Sequence, residues 1–111
     1  LCLANSQMGV AARNAGLPYV EEAFADRAYT DEGSLVSRKI AGSVIHDLDQ
    51  VVSRVVQMVR DKTVVSIHGN LVPIQAQTIC VHGDTPGAVS MVKAIRAALE
   101  KEKISLRAFG C

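Results

Sequence analysis

The sequence predicts an α/β fold with a largely parallel sheet, and three stretches carry that prediction. The apolar run Ile79-Cys80-Val81 stops in the polar turn His82-Gly83-Asp84, and Thr85-Pro86 then opens a periodic helix. A second helical stripe, Leu48, Val51, Val52, Val55, Met58 and Val59, follows Asp47 at spacings of three and four. Ile104-Ser105-Leu106-Arg107-Ala108-Phe109 alternates apolar and polar residues and supplies a strand after the last helix. Together these give at least one strand-helix-strand unit, the connection that parallel strands require.

From Leu3 to Ala15 the positions Leu3, Met8, Ala11, Ala12 and Ala15 follow a helical stripe, stopped by Gly16-Leu17-Pro18. Tyr19 to Ala25 mixes β-formers with acidic residues and reads as a strand that carries Asp26-Arg27 into a loop. The charges Glu22, Asp26 and Arg27 then either serve a site at the strand end or brace the loop. Tyr29 to Asp47 has turn residues and no sustained period, and loops of that length in small domains are usually functional. Asp47 caps a helix that runs to Asp61, which leaves His46 as a loop spacer just before it. Thr63 to His68 and Leu71 to Ile74 flank Gly69-Asn70, a two-residue hairpin signal of the Gly-first type. His68 is expected to be solvated beside that turn, and Pro73 places its strand at an edge. After the strand Thr78 to Val81, a helix from Pro86 to Glu102 puts Ala88, Met91, Val92, Ile95 and Leu99 on one stripe. The expected order is α-β-α-β-β-β-α-β.

The chain of 111 residues, 49% hydrophobic, is long enough for one modest domain and too apolar to be disordered. Its net charge of +1 is spread along the sequence, so no basic patch calls for nucleic acid. Cys2, Cys80 and Cys111 are odd in number and lack C-x-x-C spacing, which argues for reduced thiols in a cytoplasmic protein. Cys80 is expected to be a small buried strand residue. Charges interrupt every apolar run before membrane-spanning length, the N-terminal residues make no signal peptide, and Leu1 opens the chain as if it were cut from something larger. Walker, G-x-G-x-x-G, H-E-x-x-H and G-x-S-x-G motifs are absent from the sequence.

The candidate site lies where the Ile79–Val81 strand ends. Groups displayed at such strand-to-helix turns face the usual ligand crevice of α/β proteins, and the helix N-terminus offers N–H groups to an anion. His82 and Asp84 are therefore placed for chemistry. The alternative is that Asp84 or Thr85 caps the helix, Pro86 takes its first position and Gly83 relieves the turn. If the two strands are parallel neighbours, Asp26-Arg27 and His82-Asp84 share one rim of the sheet.

Four segments carry a resemblance to a known family: Glu22-Ala23-Phe24-Ala25-Asp26-Arg27-Ala28-Tyr29, Asp31-Glu32-Gly33-Ser34-Leu35-Val36-Ser37-Arg38, Val44-Ile45-His46-Asp47 and Ile79-Cys80-Val81-His82-Gly83-Asp84-Thr85-Pro86. In this order and spacing they resemble the C-terminal part of the LamB/YcsF family of 5-oxoprolinase A subunits, over Leu1 to Phe109. Ala41-Gly42-Ser43 departs from a Pro-Gly-Ala-like turn expected there. The resemblance implies that residues 1–111 are the C-terminal fragment of a single irregular β/α-barrel domain of the glycoside hydrolase/deacetylase-like superfamily. It also implies ATP-dependent opening of the 5-oxo-L-proline lactam to L-glutamate, with Mg2+ brought by ATP and with two other 5-oxoprolinase subunits as partners. On that resemblance His82, Asp84 and Asp26 are the candidate acid/base groups. Arg27, Arg38, Glu22, Gly83 and Thr85 are candidates to bind substrate or phosphate, with Glu22 and Asp26 orienting these groups or the magnesium. No dedicated metal cage is expected. The competing readings are a non-catalytic assembly segment and, by fold analogy alone, a metal-dependent deacetylase-like carbohydrate-active protein, for which His46, His68 and His82 show no ligand spacing.

Overall fold

The computed structural model describes residues 1–109, in the order β1 (Cys2–Leu3), α1 (Gln7–Asn14), β2 (Glu21–Phe24), α2 (Leu48–Arg60), β3 (Thr63–Val65), β4 (Leu71–Pro73), β5 (Thr78–Cys80) and α3 (Ala88–Lys101). Strands β1, β2 and β5 form a parallel three-stranded sheet in that order, and β3 and β4 form a separate antiparallel pair. The α/β class is therefore met, while the described residues build an open sheet rather than a closed barrel.

The sheet has two unlike faces because side chains alternate along a strand and parallel partners share a face. Ala23 and Ala25 are fully buried and, with Ile79 and Val81, meet the apolar clusters formed by the helices and the hairpin. Val51 and Val55 of α2 and Met91, Ile95 and Leu99 of α3 supply one of those clusters. Each such side chain contributes about 1.5–3 kcal/mol when fully buried. The opposite face carries Glu22, Phe24, Thr78 and Cys80, all only partly covered.

Several elements differ from the sequence reading. The expected helix from Leu3 is split: Cys2 and Leu3 pair with Glu21 and Glu22, and the helix starts only after Ser6, whose Oγ accepts from the Gly9 N–H. Asn5 makes the break with φ 62° and donates its side-chain amide to the Pro73 carbonyl at 3.1 Å. That amide also fills the space beside Gly33, where a Cβ would lie 2.6 Å from it, so Gly33 answers both a close approach and a φ of +82°.

The expected strand from Ile104 to Phe109 forms no ladder among the described residues; Ile104 instead packs on the helix cluster. In the hairpin, Val65 pairs with Leu71, so the connection is the whole loop Ser66–Asn70 and not a two-residue turn. Ser66 wins that competition: it is buried, and its Oγ accepts from the N–H groups of His68 and Asn70. β4, with Pro73, pairs only with β3 and so lies at an edge among the described residues. Asp47 does cap α2, accepting from the Gln50 N–H at 2.7 Å, but Leu48 is exposed rather than core. Val92 of α3 is likewise exposed. No helix among the described residues is long and apolar enough to cross a membrane. Cys2 and Cys80 are free thiols, and Cys111 lies outside the described residues.

Candidate active site

The site is built by register. Phe24 pairs with Cys80, so Asp26 and His82, each two residues further on, stand over the same face at the same height. The His82 Nδ1 lies 2.9 and 3.2 Å from the two Asp26 carboxylate oxygens. Asp26 is 2% exposed, whereas the His82 side chain is 24% exposed, so a buried carboxylate supports a ring with an open edge. Phe24 packs edge-on against the imidazole at 5.0 Å and fixes its plane. In the neutral ring, donation from Nδ1–H to Asp26 leaves the Nε2 lone pair free. The Cys80 Sγ lies 3.9 Å from Nε2, a weak partner. Burial first, then the charges of Glu22 and Asp26, push the Cys80 thiol above its ordinary pKa, so it stays protonated beside the imidazole. Cys80 is half-buried, not the buried strand residue expected.

Arg27, a candidate to bind substrate or phosphate, lines the cleft at the strand ends and also braces the loop. Its buried guanidinium donates from Nη2 to the Val36 carbonyl at 2.7 Å and from Nε to the Ser43 carbonyl at 3.3 Å. Arg54, buried on α2, in turn donates to the Arg27 carbonyl at 2.7 Å. The Asp26 carbonyl accepts from the Ile45 N–H at 2.9 Å, and the Tyr29 hydroxyl accepts from the Phe24 N–H at 2.9 Å. Tyr29 is fully buried, and burial raises its pKa above the ordinary phenol value. The backbone around Asp26 is thus held on every side before any ligand arrives, which is the support a positioned carboxylate needs.

A cleft of about 260 Å³ opens at this rim, lined by Asp26, Arg27, Arg38, Val44, His46, His82, Asp84, Thr85 and Pro86. The shared rim expected from the sequence is therefore present. Asp84 and Thr85 face the cleft without capping the helix: α3 begins at Ala88 behind Gly87, which has φ 83°, and no side chain caps it. Thr85 contributes only its carbonyl, which accepts from the Ala88 N–H. Pro86 precedes the helix instead of opening it, and the left-handed turn residue is Gly87 rather than Gly83. Gly83 lies exposed between His82 and Asp84. Glu22 is on the same sheet face as Asp26 but further back along β2, away from this cleft.

His46, read from the sequence as a loop spacer, lines the cleft, and the stretch Val44-Ile45-His46-Asp47 is the sequence signal that marks it. His68 is exposed as expected, yet it is held by Asp31, with Nδ1 and Oδ2 3.1 Å apart. A larger groove of about 580 Å³ runs between β5 and α3, with Val81, Ile95 and Leu99 among its walls, but no acid-base pair lines it, so size does not locate the chemistry. Among the described residues no group of three or more His, Cys, Asp or Glu side chains is gathered to hold a metal ion.

The model of one protein family, described as the LamB/YcsF family, matches residues 1–110. The chain belongs to the LamB/YcsF family. It is 53% identical over 107 residues to the 5-oxoprolinase A subunit of Paracidovorax citrulli, covering 96% of this chain and 43% of that protein. It is 55% identical over 107 residues to the 5-oxoprolinase A subunit of Acinetobacter baylyi, covering 96% of this chain and 42% of that protein. The crystal structure of the lactam utilization protein from Thermus thermophilus superimposes with a TM-score of 0.86 at 37% identity, covering 95% of this chain and 41% of that one. This LamB/YcsF chain thus spans less than half the length of the relatives it matches.

Proposed function

We infer that this chain is the C-terminal part of a β/α-barrel subunit that opens a lactam, 5-oxo-L-proline, to L-glutamate with ATP, and that Asp26 and His82 carry the proton in that reaction. The observation that supports it most directly is the buried Asp26 carboxylate held 2.9 Å from His82 Nδ1 at the mouth of a polar cleft. The relatives' names, lactam utilization protein and A subunit of 5-oxoprolinase, supply the substrate class and the expectation of partner subunits, two in number on the family resemblance.

A lactam is a stable amide, and ATP would supply a phosphoryl group to its carbonyl oxygen that makes the ring carbon a better electrophile. Water then adds to that carbon, and His82 Nε2 takes the proton as it does so. Asp26 holds the ring in the Nδ1–H tautomer and stabilises the imidazolium that forms, the division of labour familiar from Asp-His pairs elsewhere. Protonated His82 can return the proton to the ring nitrogen as the carbon–nitrogen bond breaks, and a second water then hydrolyses the acyl phosphate left behind, releasing inorganic phosphate and L-glutamate. Asp84, which lines the same cleft, orients the water. Magnesium would arrive with the nucleotide, and a deacetylase-like metal site would need ligands from beyond the described residues.

The test is glutamate formation by the full-length polypeptide with its partner subunits, 5-oxoproline and ATP. Asp26→Asn and His82→Gln keep shape and hydrogen-bonding capacity but not the proton path, and each should cut turnover by roughly a hundredfold to ten-thousandfold. Full turnover by both variants would leave the segment as scaffold.

A further inference from the structure

We propose that Arg38 and His46 form the wall of the cleft that binds the carboxylate of a small cyclic-amide acid, and that this cleft takes the acid rather than the nucleotide. The proposal rests on the lactam-opening reading above and adds to it which group of the substrate each wall receives.

Four groups of positive or potentially positive charge line the cleft, namely Arg27, Arg38, His46 and His82, and His82 is already engaged by Asp26. Arg27 is anchored through Nη2 and Nε to the Val36 and Ser43 carbonyls and is nearly buried. Arg38 and His46 make no side-chain hydrogen bond or ion pair among the described residues, so they are the groups left to meet an anion. Neither is adrift. Val44 bridges to Arg27, and Ile45 donates its N–H to the Asp26 carbonyl at 2.9 Å and buries its side chain under the helices. With Ile45 turned inward, the alternation of extended chain turns Val44 and His46 to the cleft, as observed. Arg38 follows two residues after Val36, whose N–H and carbonyl are tied to Ala28 and Arg27. His46 thus follows directly on backbone tied to the strand that bears Asp26, and Arg38 stands two residues beyond such a tie.

Charge then orients the ligand. Asp84 and the Asp26–His82 pair occupy the strand-end side of the cleft, and Arg38 and His46 belong to the loop. A carboxylate is repelled from the first and held by the second, bidentately by the guanidinium fork. The reacting carbonyl of a five-membered ring is left toward His82. The volume of about 260 Å³ has room for a one-ring acid.

The experiment uses the full-length polypeptide with its partner subunits and compares Arg38→Met, Arg38→Lys and His46→Gln with the parent. Calorimetric binding of 5-oxoproline and the KM values for 5-oxoproline and ATP are measured, with 2-pyrrolidinone, the same ring without the carboxylate, as a neutral ligand. Arg38→Met and His46→Gln should weaken 5-oxoproline roughly tenfold to a hundredfold, leave the KM for ATP unchanged and leave 2-pyrrolidinone binding unchanged. Arg38→Lys should recover part of the loss. A rise in the KM for ATP with unaltered 5-oxoproline binding would overturn the proposal in favour of a phosphate site, and equal losses for the acid and the neutral lactam would overturn it in favour of a mere packing role. If Asp26→Asn abolishes turnover while Arg38→Met and His46→Gln bind the acid normally, the carboxylate wall fails and the catalytic reading stands. If Arg38→Met loses the acid while Asp26→Asn turns over normally, the wall stands and the catalytic reading fails.

Discussion

Arg27→Met separates loop bracing from ligand binding, because the bonds that the guanidinium makes are unequal in what they leave behind. The Ser43 carbonyl keeps the Ala28 N–H at 2.9 Å when Arg27 is cut back. The Val36 carbonyl, which accepts from Arg27 Nη2 at 2.7 Å, loses that partner in a buried setting. One buried carbonyl left unsatisfied costs about 1–3 kcal/mol, offset in part because a buried charge is also removed. A net loss of about 2 kcal/mol lowers Tm of the full-length polypeptide by roughly 4–8 °C, at roughly 2–4 °C per kcal/mol for a domain of its size class. Calorimetric melting reads that loss, and amide exchange locates it, since the N–H groups of Ala28, Val36 and Ile45 all bridge the braced loop. Unchanged melting and unchanged protection of those amides, together with lost turnover, would refute the bracing role and return Arg27 to the ligand.

Asp84→Asn should leave melting within about 0.5 kcal/mol of the parent, because α3 has no side-chain cap to lose, yet lower glutamate formation by roughly a hundredfold or more. A clear loss of stability with normal turnover would restore the capping role. A second prediction concerns pH. Asp31 accepts from Ser66, Asn70 and His68, and these bonds, Ser66 foremost, hold its carboxyl below the ordinary value. Its folded pKa is depressed, so its contribution is fully present above the unfolded value of about 3.9 and is lost as pH falls through the folded one. Protection of the Ser66–Asn70 loop amides should therefore fall below about pH 4, and Asp31→Asn should flatten that acid limb. An acid limb of the same shape in the variant would show that another carboxylate governs it.

What the sequence made legible were features whose causes are local. The α2 stripe and its Asp47 cap lie within one segment, and so does the strand-turn-helix passage at Ile79 to Glu102. The failures occur where a distant partner decided the outcome. Leu3 looks helical by spacing, yet it pairs with Glu22, and Asn5 breaks the run by reaching Pro73. Ile104 to Phe109 alternates like a strand, but alternation names no partner, and Ile104 finds the α2–α3 cluster instead. Gly69-Asn70 suggests a two-residue turn, and buried Ser66 captures the backbone of a longer one. The sequence suggests a ligand group at Arg27 and a spacer at His46, while only the path of the 29–47 loop shows Arg27 bonded to two loop carbonyls and His46 lining the cleft.

The Asp26–His82 pair joins both kinds of information. The partners are 56 positions apart, so no local pattern states that they meet. Yet each follows a short apolar strand by the same offset, two residues past Phe24 and two past Cys80, and parallel pairing of those two residues brings the pair together without any further adjustment. A slip of one residue in β5 would turn His82 toward the helices and Val81 toward the cleft, exchanging an apolar core contact for a polar ring and an acid-base group for a methyl surface. The buried Ala23 and Ala25 and the half-buried Ile79 on the opposite face penalise that slip through the same alternation. The register that builds the core is therefore the register that builds the site, and the packing energy of one face of the sheet fixes the chemistry displayed on the other.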